Sequence, residues 1–288
     1  MNVLITGANG QLGSELQELS PLYKGYNFTF TDIDVLDICK FDAVETFIKK
    51  NKPEIVINCA AYTAVDKAES EKEKVYSLNT NAVKNLAEMS SKYKFSLVQI
   101  STDYVFEGLN YKPYTENDTA NPKSIYGKSK YESEIEIIFN TRKGVIIRSS
   151  WLYSSFGNNF VKTIIKLAKE KGILDVIFDQ IGTPTYAADL AKAIMEALPQ
   201  IAKVNSTEIY NFSNEGVASW YDFAKAIVDI AGIKCTINPI ETKDYKQEAR
   251  RPLFSVFNKS KFKKTFKQEI PYWRDSLEVC IAKLKNNK

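Results

Sequence analysis

The sequence predicts an α/β protein, a doubly wound parallel sheet with a smaller C-terminal lobe. Three observations carry this. Short β-branched runs alternate with helical patterns, a glycine-rich turn joins the first strand to the first helix, and no apolar run is long enough for a membrane span.

The first strand, residues 3–6, runs into Thr6-Gly7-Ala8-Asn9-Gly10-Gln11-Leu12-Gly13, and Gln11–Leu19 then has a helical pattern. Glycines let a backbone turn tightly and approach phosphates, and a helix N-terminus offers free N–H groups with a partial positive charge. The turn therefore suits a dinucleotide pyrophosphate, although a plain tight turn would use the same residues. The second strand, residues 28–31, ends at Asp32. A carboxylate there can bond the adenosine ribose hydroxyls and repel a 2′-phosphate. As the alternative, Asp32 is a turn former in Thr31-Asp32-Ile33-Asp34.

Helix 43–50, strand Ile55–Asn58, helix 73–93, strand 97–101, helix 126–139 and strand 145–148 continue the alternation. After about Trp151 it becomes less regular, with helices Phe160–Lys171, 187–198 and Trp220–Ala231 around strands 176–178 and 209–212. Ser219 and Asp222 have capping-box spacing for the last of these helices. Residues 1–150 are thus expected to form the dinucleotide-binding domain. Residues 151–288 are expected to form mainly the substrate lobe, with some elements completing the sheet.

Composition narrows the chemistry. The chain has no histidine, which removes His-containing triads, His-ligated metal sites and imidazole acid–base catalysis. Its four cysteines, Cys39, Cys59, Cys235 and Cys280, form no CxxC pair and suit reduced thiols. Net charge is only +4, and just five of 39 basic residues are arginine, so no nucleic-acid partner is expected. The basic run 259–264 reads as a solvated face. A strand-like segment, Asn2–Thr6, opens the chain and leaves no room for a signal peptide, so a cytoplasmic protein without membrane contact is expected.

Tyr126 and Lys130 share one face at the start of a helix. An ammonium near a phenol favours the phenolate, so Lys130 is expected to lower the tyrosine's pKa from about 10. The phenol could then protonate a carbonyl oxygen as hydride reaches its carbon. Upstream, Thr102 in Ser101-Thr102-Asp103-Tyr104-Val105-Phe106 closes a strand, where its hydroxyl can donate to the same oxygen. The plainer reading of Thr102 is a strand end satisfying itself.

With these residues in place the chain resembles the dTDP-4-dehydrorhamnose reductase family, within the extended short-chain dehydrogenase/reductases, over nearly its whole length. The resemblance rests on Gly7-xx-Gly10-xx-Gly13, the segment from Asn58 to Glu69, Ser101 to Phe106, and Tyr126-Gly127-Lys128-Ser129-Lys130. It continues in Arg148 to Tyr153, Gly157 to Phe160, Asp179 to Thr185 and Ala249-Arg250-Arg251-Pro252. It implies a Rossmann-type fold and NADPH- or NADH-dependent reduction of the 4-keto group of dTDP-4-dehydro-6-deoxy-L-mannose, giving dTDP-L-rhamnose. Tyr126 then resembles the proton donor, Lys130 the residue on the nicotinamide ribose, and Thr102 the partner of the keto oxygen. Gly7, Gly10, Gln11, Leu12 and Gly13 resemble the pyrophosphate turn. Asp32, Asp37 and Ile38 resemble adenosine-side contacts, and Ala61, Tyr62 and Thr63 the loop along the cofactor. Thr102, Asp103 and Trp151 resemble substrate contacts, with core packing as the alternative for Trp151. Arg251 suits the diphosphate of a nucleotide sugar, with a structural ion pair as its alternative. Some relatives suggest a homodimer with Mg2+ between subunits, and the sequence leaves both open. Two other readings also stay open, a reductase of another 4-keto nucleotide sugar and a non-catalytic dinucleotide-binding regulatory subunit. A dehydratase is disfavoured, because Tyr104 stands where those relatives carry a glutamate base.

Overall fold

The computed structural model describes residues 1–286. Its centre is a six-stranded sheet of β1 (Asn2–Thr6), β2 (Asn27–Thr31), β3 (Ile55–Asn58), β4 (Ser96–Thr102), β5 (Gly144–Ser149) and the strand Glu208–Phe212. Every pairing is parallel, and the order across the sheet is Glu208–Phe212, β5, β4, β3, β1, β2. Successive strand residues point to opposite faces. Val3, Ile5, Ile55 and Ile57 therefore pack on one face with Leu12 and Leu16 of helix α1 (Gln11–Leu19), while Leu4 and Val56 pack on the other with Val44 and Ile48. Both faces are covered, which is why the strands read as continuous apolar runs.

The second half contributes to this first body as well as building its own. Strand Glu208–Phe212 pairs with β5, and Leu190, Ile194 and Leu198 of helix Ala187–Ile201 lie in the same cluster as Leu12 and Leu16. A separate cluster joins Tyr153, Val161, Phe223, Ile227, Trp273 and Leu277. Ser219 and Asp222 cap helix Trp220–Ala231 reciprocally, as their spacing predicts. Among the described residues no helix is long and apolar enough to cross a membrane.

Two expectations change. The helix expected over 73–93 is present without interruption from Lys72 to Tyr93, but it widens into a π-helical turn at Ser77–Asn81. The basic run is docked rather than solvated. Lys259 is buried against Glu215 at 3.0 Å, Lys263 meets the same carboxylate at 2.7 Å, and Lys261 meets Glu208 at 2.8 Å. Carboxylates on and just after the last sheet strand supply the partners that a charge count along the sequence does not reveal.

Candidate active site

The chain passes from β1 to β2 on one side and returns to β3 on the other, so the sheet's switch point lies at the carboxyl end of β1. The glycine turn sits there. Gly7 has φ +66°, and a Cβ on it would lie 2.5 Å from the Ala60 nitrogen; one on Gly13 would lie 2.4 Å from the Gly7 carbonyl oxygen. The turn can therefore press against the loop after β3 only because Gly7 has no side chain, and the first turn of α1 can pack back on Gly7 and Ala8 only because Gly13 has none. Helix α1 starts after Gly10 with no side-chain cap and no acidic residue in its first turn, leaving its first N–H groups for an anion. Below, Thr6 donates to Asn58 at 2.6 Å and Asn58 donates to Gln99 at 2.7 Å, a polar seam across three strand ends.

Asp32 accepts from the Asn9 N–H and the Ile33 N–H, both at 2.8 Å, so its carboxylate faces the glycine turn while also forming its own turn. Asp37 accepts from the Cys39 N–H at 3.0 Å. The side chains of Leu12 and Ile38 are in the core, which leaves only their backbones to meet a cofactor. Tyr62, beside Ala61 and Thr63, is clamped through its backbone by Asn79, which accepts from the Tyr62 N–H at 2.8 Å and donates to its carbonyl at 3.1 Å.

Asn79 sits on the π turn, where sequence reasoning saw only helix. It is fully buried and also donates to Ser129 Oγ at 3.0 Å, while Thr80 Oγ1 donates to the Ser129 carbonyl at 2.9 Å. The widened turn thus ties the loop carrying Tyr62 to the helix Ile125–Asn140 that carries Tyr126 and Lys130. Ser124 caps that helix by accepting from the Gly127 N–H at 3.1 Å.

Tyr126, Thr102 and Asp103 come together as buried groups, and Lys130, also buried, lies one helical turn beyond Tyr126 with Glu134 and Cys59 as its titratable neighbours. Thr102 Oγ1 donates to Asp103 Oδ1 at 3.0 Å and accepts from the Tyr104 N–H at 3.2 Å, and the Tyr104 and Tyr126 rings meet edge to face at 5.5 Å. Burial pushes Tyr126 up to about 12, a shift that a hydrogen bond with Thr102 opposes and the charge of Asp103 reinforces. This corrects the expectation that Lys130 lowers the tyrosine. Burial also penalises the ammonium, pulling Lys130 down to about 8 against the charges of Glu134 and Cys59. Burial thus biases both groups toward neutrality, and at neutral pH the phenol keeps its proton. Burial lifts Asp103 to about 6 although Ser255 and Thr102 hydrogen-bond it, and its Oδ2 has no partner.

Trp151 is partly buried with φ +48°, and its ring stacks on Trp220 at 3.6 Å. Core packing thus describes one of its faces. Arg251 makes the ion pair weighed as its alternative, with Nη1 3.0 Å from Asp66 Oδ1 and Nη2 2.6 Å from Oδ2. A diphosphate would have to share that guanidinium with Asp66. Among the described residues no group of three or more Cys, Asp or Glu is placed to hold a metal ion.

The fold and its strand-end constellation define a class, the extended short-chain dehydrogenases/reductases. Residues 1–286 match the family described as RmlD substrate binding domain, and the chain belongs to that family. It is 39% identical to a dTDP-4-dehydrorhamnose reductase of Aggregatibacter actinomycetemcomitans, over 97% of this chain and 98% of the relative. The crystal structure of a dTDP-4-dehydrorhamnose reductase from Clostridium acetobutylicum superposes with a TM-score of 0.93 at 40% identity, covering 99% of this chain and 100% of the other. A Bacillus anthracis dTDP-4-dehydrorhamnose reductase solved in complex with NADP gives 0.92 at 40% identity, covering 98% and 99%.

Proposed function

We propose that this protein is a dTDP-4-dehydrorhamnose reductase, which uses NADPH or NADH to reduce the 4-keto group of dTDP-4-dehydro-6-deoxy-L-mannose to the hydroxyl of dTDP-L-rhamnose. One observation carries the chemical part: in a chain without histidine, the buried phenol of Tyr126 lies in hydrogen-bonding reach of the buried Thr102 hydroxyl, one helical turn before the buried amine of Lys130. The residues fit a dinucleotide, because the glycine turn lies at the switch point of the sheet and the first N–H groups of α1 carry no side-chain cap.

The reduced nicotinamide, when bound, supplies the hydride. The first N–H groups of α1 would hold the pyrophosphate, Asp32 the adenosine ribose, and Lys130 the nicotinamide ribose. Tyr126 delivers its proton to the keto oxygen and regains one from solvent. With burial holding it well above neutrality, the phenol is in the required protonated state before the substrate arrives. Thr102 directs its hydroxyl at the same oxygen, and must turn from Asp103 to do so. Asp103 presents an unpartnered Oδ2 that suits a sugar hydroxyl, and the partly exposed ring of Trp151 suits contact with the sugar. The test is a spectrophotometric assay of NADH and NADPH oxidation against a panel of 4-keto nucleotide sugars. Oxidation only with a different 4-keto sugar would move the substrate, and none with any of them would remove the reading.

A further inference from the structure

The buried carboxylate of Glu134 lies four residues beyond Lys130 on the same helix face and is fully enclosed. Its Oε1 accepts from Ser101 Oγ at 2.5 Å and from Arg148 Nε at 2.9 Å, and its Oε2 accepts from Arg148 Nη2 at 2.6 Å. Ser101 and Arg148 are register partners on β4 and β5, so their side chains rise from one face of the sheet toward the helix. One carboxylate therefore joins three segments of the site. Ser101 precedes Thr102, Arg148 stands just before the Trp151 turn, and Glu134 follows Tyr126 and Lys130.

We propose that Glu134 is a positioning residue for the reduction: held by Ser101 and Arg148, it fixes the Tyr126 helix over the end of β4 and supplies the counter-charge for Lys130. The inference rests on the reductase reading above. A purely structural role explains the arrangement poorly. Buried ion pairs are often matched or bettered in stability by apolar side chains of similar volume, and this one leaves Arg148 Nη1 without a partner. Its guanidinium instead lies over the Phe106 ring at 5.0 Å. The groups facing Lys130 are Glu134 on its own helix and Cys59 at the end of β3. Burial holds the Cys59 thiol up at about 12, so across the neutral range the counter-charge is that of Glu134.

The test uses Glu134→Gln, which keeps the shape, and Glu134→Gln with Arg148→Met, which also removes the stranded guanidinium. Protonation of Lys130 is followed through the 13C shift of its Cε, assigned by the signal lost in Lys130→Met. Removing a nearby opposite charge should lower the midpoint by about half a pH unit or more in both variants. Turnover should fall roughly tenfold, with KM for the nucleotide sugar within about twofold, because positioning is lost rather than binding. A wild-type midpoint in either folded variant would overturn the proposal. If neither folds, Ser101→Ala removes one tether and keeps the charge. It should lower kcat severalfold at an unmoved Lys130 midpoint, and unchanged kcat would be equally fatal. Wild-type protein that failed to oxidise NADH or NADPH with any 4-keto sugar would instead defeat the reductase reading, which the same titration does not touch.

Discussion

A Cβ on Gly127 would lie 2.3 Å from the carbonyl oxygen of Tyr104. The helix bearing Tyr126 can rest on the loop after β4 only because residue 127 has no side chain. Gly127→Ala should therefore push the helix start away from Thr102. Helical propensity favours alanine over glycine by only about 1 kcal/mol, too little to offset an overlap with backbone. Turnover should drop at least tenfold, since misplacing reacting groups by about 1 Å is costly. Steady-state kinetics together with a thermal melt checks this, and full activity would mean that the Tyr126 helix can move without consequence.

Tyr126→Phe should retain cofactor affinity and lose about 10²–10⁴-fold in turnover, the usual contribution of a positioned acid. Because burial holds the phenol at about 12, its deprotonation should produce no alkaline limb in wild-type reduction across the neutral range. Cofactor binding by fluorescence and kcat against pH, with chemistry rate-limiting, measure both. A Phe variant keeping more than about half of wild-type turnover would require another proton source.

Asp103 links pH to stability. Its folded pKa of about 6 stands above the unfolded value near 3.9, so the folded state holds this proton more tightly. The resulting stability is fully present below about pH 3.9 and is lost as pH rises through about 6. At pH 7.5 the buried carboxylate then costs on the order of 2–3 kcal/mol, using about 1.4 kcal/mol per pKa unit. Asp103→Asn should raise the melting temperature at pH 7.5 and change it little near pH 4, while impairing turnover of the sugar. Equal effects at both pH values would mean that the carboxylate does not titrate there.

Asp32→Ala should raise the NADPH-to-NADH ratio of kcat/KM. The carboxylate faces the glycine turn through its bond to the Asn9 N–H, and the segment from Asp32 to Cys39 contains two further aspartates and no cation. A 2′-phosphate placed beside Asp32 meets its like charge. Kinetics with each cofactor at fixed ionic strength decides it, and an unchanged ratio would leave Asp32 as a turn residue.

What was legible in the sequence follows from range. The ends of Gln11–Leu19, Ile55–Asn58 and Trp220–Ala231 are set by their own neighbours, glycine, proline or a capping box, and are readable from a short window. The π turn at Ser77–Asn81 is not, because its cause is the reach of Asn79 and Thr80 to Tyr62 and Ser129. Two-residue strands such as Leu152–Tyr153 and Thr185–Tyr186 are too short for any periodicity. The site showed the same division. Tyr126, Lys130 and Thr102 could be placed by motif, whereas the dominance of burial over the Lys130 charge depends on enclosure by distant segments. Asp66 as the partner of Arg251 was equally hidden by distance along the chain.

Strand Glu208–Phe212 has a bearing on how the chain is made. Until it leaves the ribosome, β5 has a bare hydrogen-bonding edge where its last neighbour belongs. At about 5–20 residues per second, that edge stays open for on the order of several seconds after β5 emerges. Lys283, near the end of the described chain, later reaches back 3.0 Å to Glu15 on α1, whose other oxygen accepts from Ser154. The half that begins synthesis is therefore among the last parts to be finished, and residues 1–150 expressed alone should be a sticky fragment seeking a strand.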